Sequence, residues 1–193
     1  MAINGIKMVT DRSISDVEIA KSLIRKGLAN MTESEKQQFL SGLKGAYNYT
    51  DFNRVESAVE YLAEMLTVVP ESIERALEIH EVAPDELFDV PYTKEKYKNV
   101  KTKTDWTISD LLSQSDRKRY IDNIFLILKA LGISVFDVPT RLENLSHAGA
   151  NKIEQSLDNL NQSLIDFQTN KQELIWKTAV SWLYSGDLYG GEI

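Results

Sequence analysis

Apolar residues recur at helical spacing over most of the chain. In the stretch TDFNRVESAVEYLAEML, Val55, Val59, Leu62 and Leu66 fall at i, i+4, i+7 and i+11, which puts them on one face of a helix and predicts that this face packs inward. Thr50 or Asp51 stands where its N-cap belongs. Upstream, Ser15 with Glu18 and Thr32 with Glu35 fit the reciprocal pairing in which a hydroxyl and a carboxylate satisfy the free N–H groups of a helix start. They predict helices over 15–26 and 32–43, with Gly27 and Gly45 as terminators. Downstream, Pro70 suits the first turn of a further helix, PESIERALEIHEV, which Pro84 closes.

From Asp89 to Asp105 the texture changes. DVPYTKEKYKNVKTKTD alternates lysine with tyrosine, valine and threonine, the pattern of an exposed strand or hairpin. A helix is then predicted from near Ser115 to Gly132, apolar around much of its circumference, followed by the connection ISVFDVPTRLEN. A long polar helix runs from Ser146 to about Phe167. A last helix, KQELIWKTAVSWLY, places Ile175, Ala179 and Trp182 beside Trp176, Val180 and Leu183 on adjoining faces, and the glycine-rich tail SGDLYGGEI should not be helical. The fold class is therefore mainly α: an irregular multi-helix bundle with a short extended or hairpin segment near 89–106. Its parts are an N-terminal helical part over 1–68, a helical insertion with the lysine-rich segment over 69–106, and a C-terminal helical part with its tail over 107–193, packed as one or two domains.

Three of the helical segments share a register. Val55, Tyr120 and Ile153 occupy one position, Val59, Ile124 and Leu157 the next inward position, then Leu62, Ile127 and Leu160, then Leu66, Leu131 and Leu164. The first and third copies also share a polar head, Asn53-Arg54-Val55-Glu56 and Asn151-Lys152-Ile153-Glu154, whereas the second has Lys118 and Ile121 in place of the Asn and Glu. Unequal spacing between copies excludes a stacked solenoid. An acid at the first turn, Asp51, suits the helix dipole. Asn53 can bond a neighbouring loop and Arg54 can meet an acid on an adjoining helix, so every role of this head is structural.

Composition narrows the functional classes. A net charge of −7 disfavours attraction to nucleic acid phosphates or anionic lipid, and no apolar stretch approaches a membrane span. The five lysines 94, 96, 98, 101 and 103 then read as an edge guarded against aggregation sooner than as a nucleic-acid patch. Without cysteine there is no disulfide, thiolate ligand or cysteine nucleophile. His80 lies among Glu78 and Glu81 at the wrong spacing for a zinc face, and His147 stands alone, so no metal is expected. No phosphate cradle or nucleophile elbow is written in the chain, and a carboxylate pair such as Asp187 with Glu192 on a loose terminus lacks the rigidity that glycoside hydrolysis needs. The expectation is a non-enzyme without cofactors, made in cytoplasm. Aromatics cluster near the C-terminus, and Trp182, Tyr184, Asp187, Leu188 and Tyr189 form a candidate protein interface.

The segments TDRSISDVEIAKSLIRKG, MTESEKQQFLSGLKGAYNYTDFNRVESAVEYL, KTDWTISDLLSQSDRKRYIDNI and WLYSGDLYGGEI resemble a group of poorly characterised proteins from the tail and baseplate gene regions of phages and prophages of Gram-positive bacteria. The resemblance covers most of the chain apart from about 68–98 and 133–145. It implies a virion component at the distal end of a tail that assembles with itself and with other tail proteins. It carries no catalytic residues with it. Two other classes stay open: a tail-tip module that stacks exposed aromatics on cell-wall carbohydrate, and a cytosolic helical regulator that binds a partner protein.

Overall fold

A computed structural model describes residues 2–79, 95–129 and 138–186, with 2, 68–79, 95–96, 167 and 171–186 as backbone path only. The described part is mainly helical. Its one sheet is a tight hairpin, β1 (Ala2–Ile3) antiparallel to β2 (Ile6–Lys7). Asn4 and Gly5 make its turn with φ of 49° and 79°, the two left-handed residues that a type I′ hairpin turn requires.

The cap of helix α1 (Ile14–Lys26) falls two residues before the predicted one. Ser13, not Ser15, accepts from the Asp16 N–H while the Asp16 carboxylate accepts from the Ser13 N–H, the same pairing two residues upstream. Thr32 and Glu35 do open α2 (Glu33–Leu40), which ends at Ser41 ahead of its predicted limit because Gly42, at φ 94°, leaves the helix first. Gly45 has another task. A methyl group there would lie 1.9 Å from the Asp16 carbonyl oxygen, so the loop after α2 lies directly on the backbone of α1. Ala20, Leu23, Met31 and Leu43 make a small separate core within the helical hairpin formed by α1 and α2.

Helix α3 (Tyr49–Ile79) is continuous where two helices were predicted. Pro70 lacks the N–H that would bond the Leu66 carbonyl, but it sits inside the helix and does not begin a new one. The lysine-rich segment is no strand where it is described: α4 (Glu95–Lys98) is one helical turn, and residues 99–113 run without a ladder partner. Its 89–94 stretch lies outside the described residues. Helix α5 (Gln114–Leu128) is capped by Ser113 with Asp116. Helix α6 (His147–Gly186) replaces the two helices predicted over 146–184, for no proline or glycine interrupts 150–185.

Helices α3, α5 and α6 pack pairwise on one another. Their inner faces are the shared register, with Val55, Leu62, Ile124, Ile127, Ile153, Leu157 and Leu160 fully buried. The N-caps fall in that register too, since Asn48, Ser113 and Ser146 each stand seven residues before Val55, Tyr120 and Ile153. One cluster joins these helices to Ile3, Met8, Trp106 and Val138, so the core draws on residues from Ile3 to Leu164.

Candidate functional site

The polar heads of α3 and α6 face two irregular straps, residues 9–12 and 103–106. Each head grips its strap in the same way. Asn151 accepts from the Arg12 N–H at 3.0 Å and donates to the Arg12 carbonyl at 2.9 Å. Asn53 accepts from the Trp106 N–H at 2.7 Å and donates to the Trp106 carbonyl at 2.8 Å. A side-chain amide thus imitates a strand partner for one residue of each strap.

The glutamates repeat the pattern. Glu154 accepts the N–H of Val9, three residues before Arg12, at 2.6 Å, and Glu56 accepts the N–H of Lys103, three residues before Trp106, at 2.8 Å. The gripped residue also turns its side chain onto the same carboxylate: Arg12 Nη2 reaches Glu154 Oε1 at 2.5 Å, and Trp106 Nε1 reaches Glu56 Oε1 at 3.2 Å. An arginine from a neighbouring helix completes each set. Arg54 of α3 donates to both oxygens of Glu154 at 2.8 Å, and Arg119 of α5 donates to both oxygens of Glu56 at 2.6 and 2.8 Å.

Arg54 and Arg119 hold the same register position, so the arginine of one helix serves the glutamate of the next. Lys152, their counterpart on α6, is exposed, and α5 has Ile121, buried in the common core, where a third glutamate would stand. Only two of the three positions are built as clamps.

Electrostatics hold this arrangement charged. The side chains of Glu154 and Arg12 are 0% and 2% exposed, a placement tolerable only for paired ions. Asp51 joins them, bonded to Arg12 Nη2 at 2.7 Å, to Arg54, and to the Asn48 N–H of its own cap at 2.9 Å. Burial opposes the charge on Arg12 and Arg54, but the adjacent carboxylates of Glu154 and Asp51 outweigh it and raise both guanidinium pKa values. Beside the ions, the Tyr47 and Tyr120 hydroxyls meet at 2.5 Å. Burial pushes both phenols upward. Phe52 touches the rings of Tyr47, Trp106 and Tyr120, so the aromatic packing connects the two clamps.

Chemically, this is a fastening. Each glutamate accepts four donors and is closed to solvent, leaving neither a lone pair nor a path by which a substrate proton could reach it. Among the described residues no group of His, Asp and Glu is placed to hold a metal ion, and no helix is long and apolar enough to cross a membrane.

The chain matches no protein-family model, no curated protein and no solved structure.

Asn151, Glu154, Arg54 and Asp51 are thus brought together in one clamp, and Asn53 and Glu56 form the other. Trp182 and Tyr184 lie on the backbone of α6, and Asp187, Leu188 and Tyr189 lie outside the described residues, as do His80 and Glu192. The site partners that pattern reading missed are Arg12, Trp106 and Arg119. A signal for the first two is present in the sequence: Thr10-Asp11-Arg12-Ser13-Ile14-Ser15-Asp16 and Thr104-Asp105-Trp106-Thr107-Ile108-Ser109-Asp110 are one seven-residue motif that varies only at the gripped residue and the hydroxyl after it.

Proposed function

We propose that this protein is a structural or adaptor component of a phage tail or baseplate that works by assembling with other tail proteins and with itself. One observation carries the structural part of this reading: the most distinctive polar residues of the chain, Asn53, Glu56, Asn151 and Glu154, are spent on fastening its own straps to its own helices. Such a body offers rigid surfaces in place of a reactive pocket, and pre-organised surfaces are what repeated assembly needs. The placement in a tail rests on the resemblance of TDRSISD, KTDW and NRVE-type segments to tail-region proteins. Mass spectrometry of particles purified from a strain that carries the gene tests it. The chain should be present in particles at a fixed ratio to the tail proteins, and its absence overturns the reading.

A further inference from the structure

The two straps do more than fill their clamps. After each gripped residue the chain repeats one small platform: the carboxylate of Asp16 accepts from the Ser13 N–H and hydroxyl at 2.8 and 2.7 Å, and that of Asp110 accepts from the Thr107 N–H and hydroxyl at 2.7 and 3.1 Å. Upstream, Asn151 and Asn53 lock the preceding residue. Each platform is thus fixed on both sides, and each carries an isoleucine in the same place. Ile14 is 65% exposed and Ile108 is 59% exposed, and neither belongs to a core. An exposed acid precedes each by three residues, Asp11 beside Lys44 at 3.0 Å and Asp105 beside Lys103 at 3.7 Å, surface pairs weak enough to be exchanged for another cation.

The buried position of this repeat differs, Arg12 against Trp106, while the exposed positions Asp, Ile and Ser are identical. Packing inside the chain explains the gripped residue and the capping pair. It gives no role to the isoleucines. Resting on the assembly reading above, we infer that Ile14 with Asp11 and Ile108 with Asp105 are two copies of one docking knob, which seat in equivalent apolar, cation-rimmed sockets of a homo-oligomeric protein. The occupant follows from the chemistry. A rigid aliphatic knob calls for an apolar socket, its acid and the −7 charge of the chain call for a basic rim, and two identical knobs on one body call for a partner that presents the same socket at least twice. Engaging both makes the second contact intramolecular, so two weak seats add up to a firm one.

A photo-crosslinking amino acid in place of Ile14, and separately of Ile108, in cells expressing the chain from its own gene, tests this. Both positions should crosslink to the same protein, distinct from this chain, that is itself an oligomer by native mass. Against that purified partner, Ile14→Asp and Ile108→Asp should each weaken binding roughly tenfold and the double variant further, with the circular dichroism and melting of the chain unchanged. Crosslinks from the two positions to different proteins, to another copy of this chain, or to no protein overturn the proposal. Presence of the unmodified chain in purified particles is scored separately, so a failed knob and a failed tail reading give different results.

Discussion

Asn53 and Asn151, on different helices, each hold both the N–H and the carbonyl of a single strap residue, Trp106 and Arg12 respectively. Replacing either by alanine removes both of these backbone hydrogen bonds and leaves two partly buried backbone groups unsatisfied. Asn53→Ala and Asn151→Ala should each lower stability by about 2–3 kcal/mol in urea unfolding. Aspartate is the sharper probe, since it keeps the acceptor and sets a negative charge against the carbonyl. Asn53→Asp should be at least as damaging as alanine, and a variant as stable as the parent would show that the clamp is dispensable.

Glu154 lies between Arg12 and Arg54 with no solvent to share the load. Removing it leaves Asp51 as the sole carboxylate against the two guanidinium groups, so Glu154→Ala should cost about 3–5 kcal/mol. Arg54→Ala should cost less, because Arg12 still neutralises Glu154. A double-mutant cycle over Arg54 and Glu154 should return a coupling of about 1–3 kcal/mol, and a coupling near zero would mean that α3 and α6 do not meet through this pair.

Much of this architecture is legible before any coordinates, and the division follows physical range. The inner faces of α3, α5 and α6 announce themselves because burial imposes one period on Val55, Tyr120, Ile153 and the residues behind them. The polar head invites a loop for Asn53 and an acid for Arg54, but the partners, Trp106 and Glu154, are long-range contacts that no local pattern specifies. Boundaries go astray where two signals compete. Ser13 and Ser15 both offer a cap with an acid at its third helical position, so the local pattern alone does not choose Ser13; Pro70 reads as a start yet is accommodated inside α3. Asn4-Gly5 is a plain hairpin signal, but the strands beside it are two residues each, too short to show a period.

Tyr47 and Tyr120 set the behaviour at alkaline pH. Burial raises both phenols above the value of 10.0 that they take in the unfolded chain. The folded protein therefore keeps protons that the unfolded chain loses, so this contribution to stability is whole below pH 10 and falls as pH rises beyond it. Two of the eight tyrosines should ionise only as the helical signal collapses, when tyrosinate absorbance and circular dichroism are followed together. Tyr120→Phe removes one of these groups and should shift the alkaline unfolding to higher pH relative to stability at neutral pH. Reversible titration of all tyrosines near pH 10 with the helices intact would contradict the buried pair.

Gly45 separates the stability of the α1–α2 hairpin from that of the bundle. A Cβ there would overlap the Asp16 carbonyl and the Val17 nitrogen, both backbone atoms that cannot rotate aside. Gly45→Ala must push the loop off α1 and loosen the contacts of Leu23, Met31 and Leu43, which belong to the small core and not to the one shared by α3, α5 and α6. Hydrogen exchange should thus accelerate in α1 and α2 and stay slow at Val55, Ile124 and Ile153, since local openings follow local packing. Equal acceleration in both regions would instead mean that the hairpin and the bundle unfold as one unit. Strap 9–12 joins the two, for Arg12 is anchored to α6 while Ser13 opens α1. The clamp at Asn151 should therefore act as the barrier that keeps a frayed hairpin from opening the bundle, and combining Gly45→Ala with Asn151→Ala should cost more than the sum of the two alone.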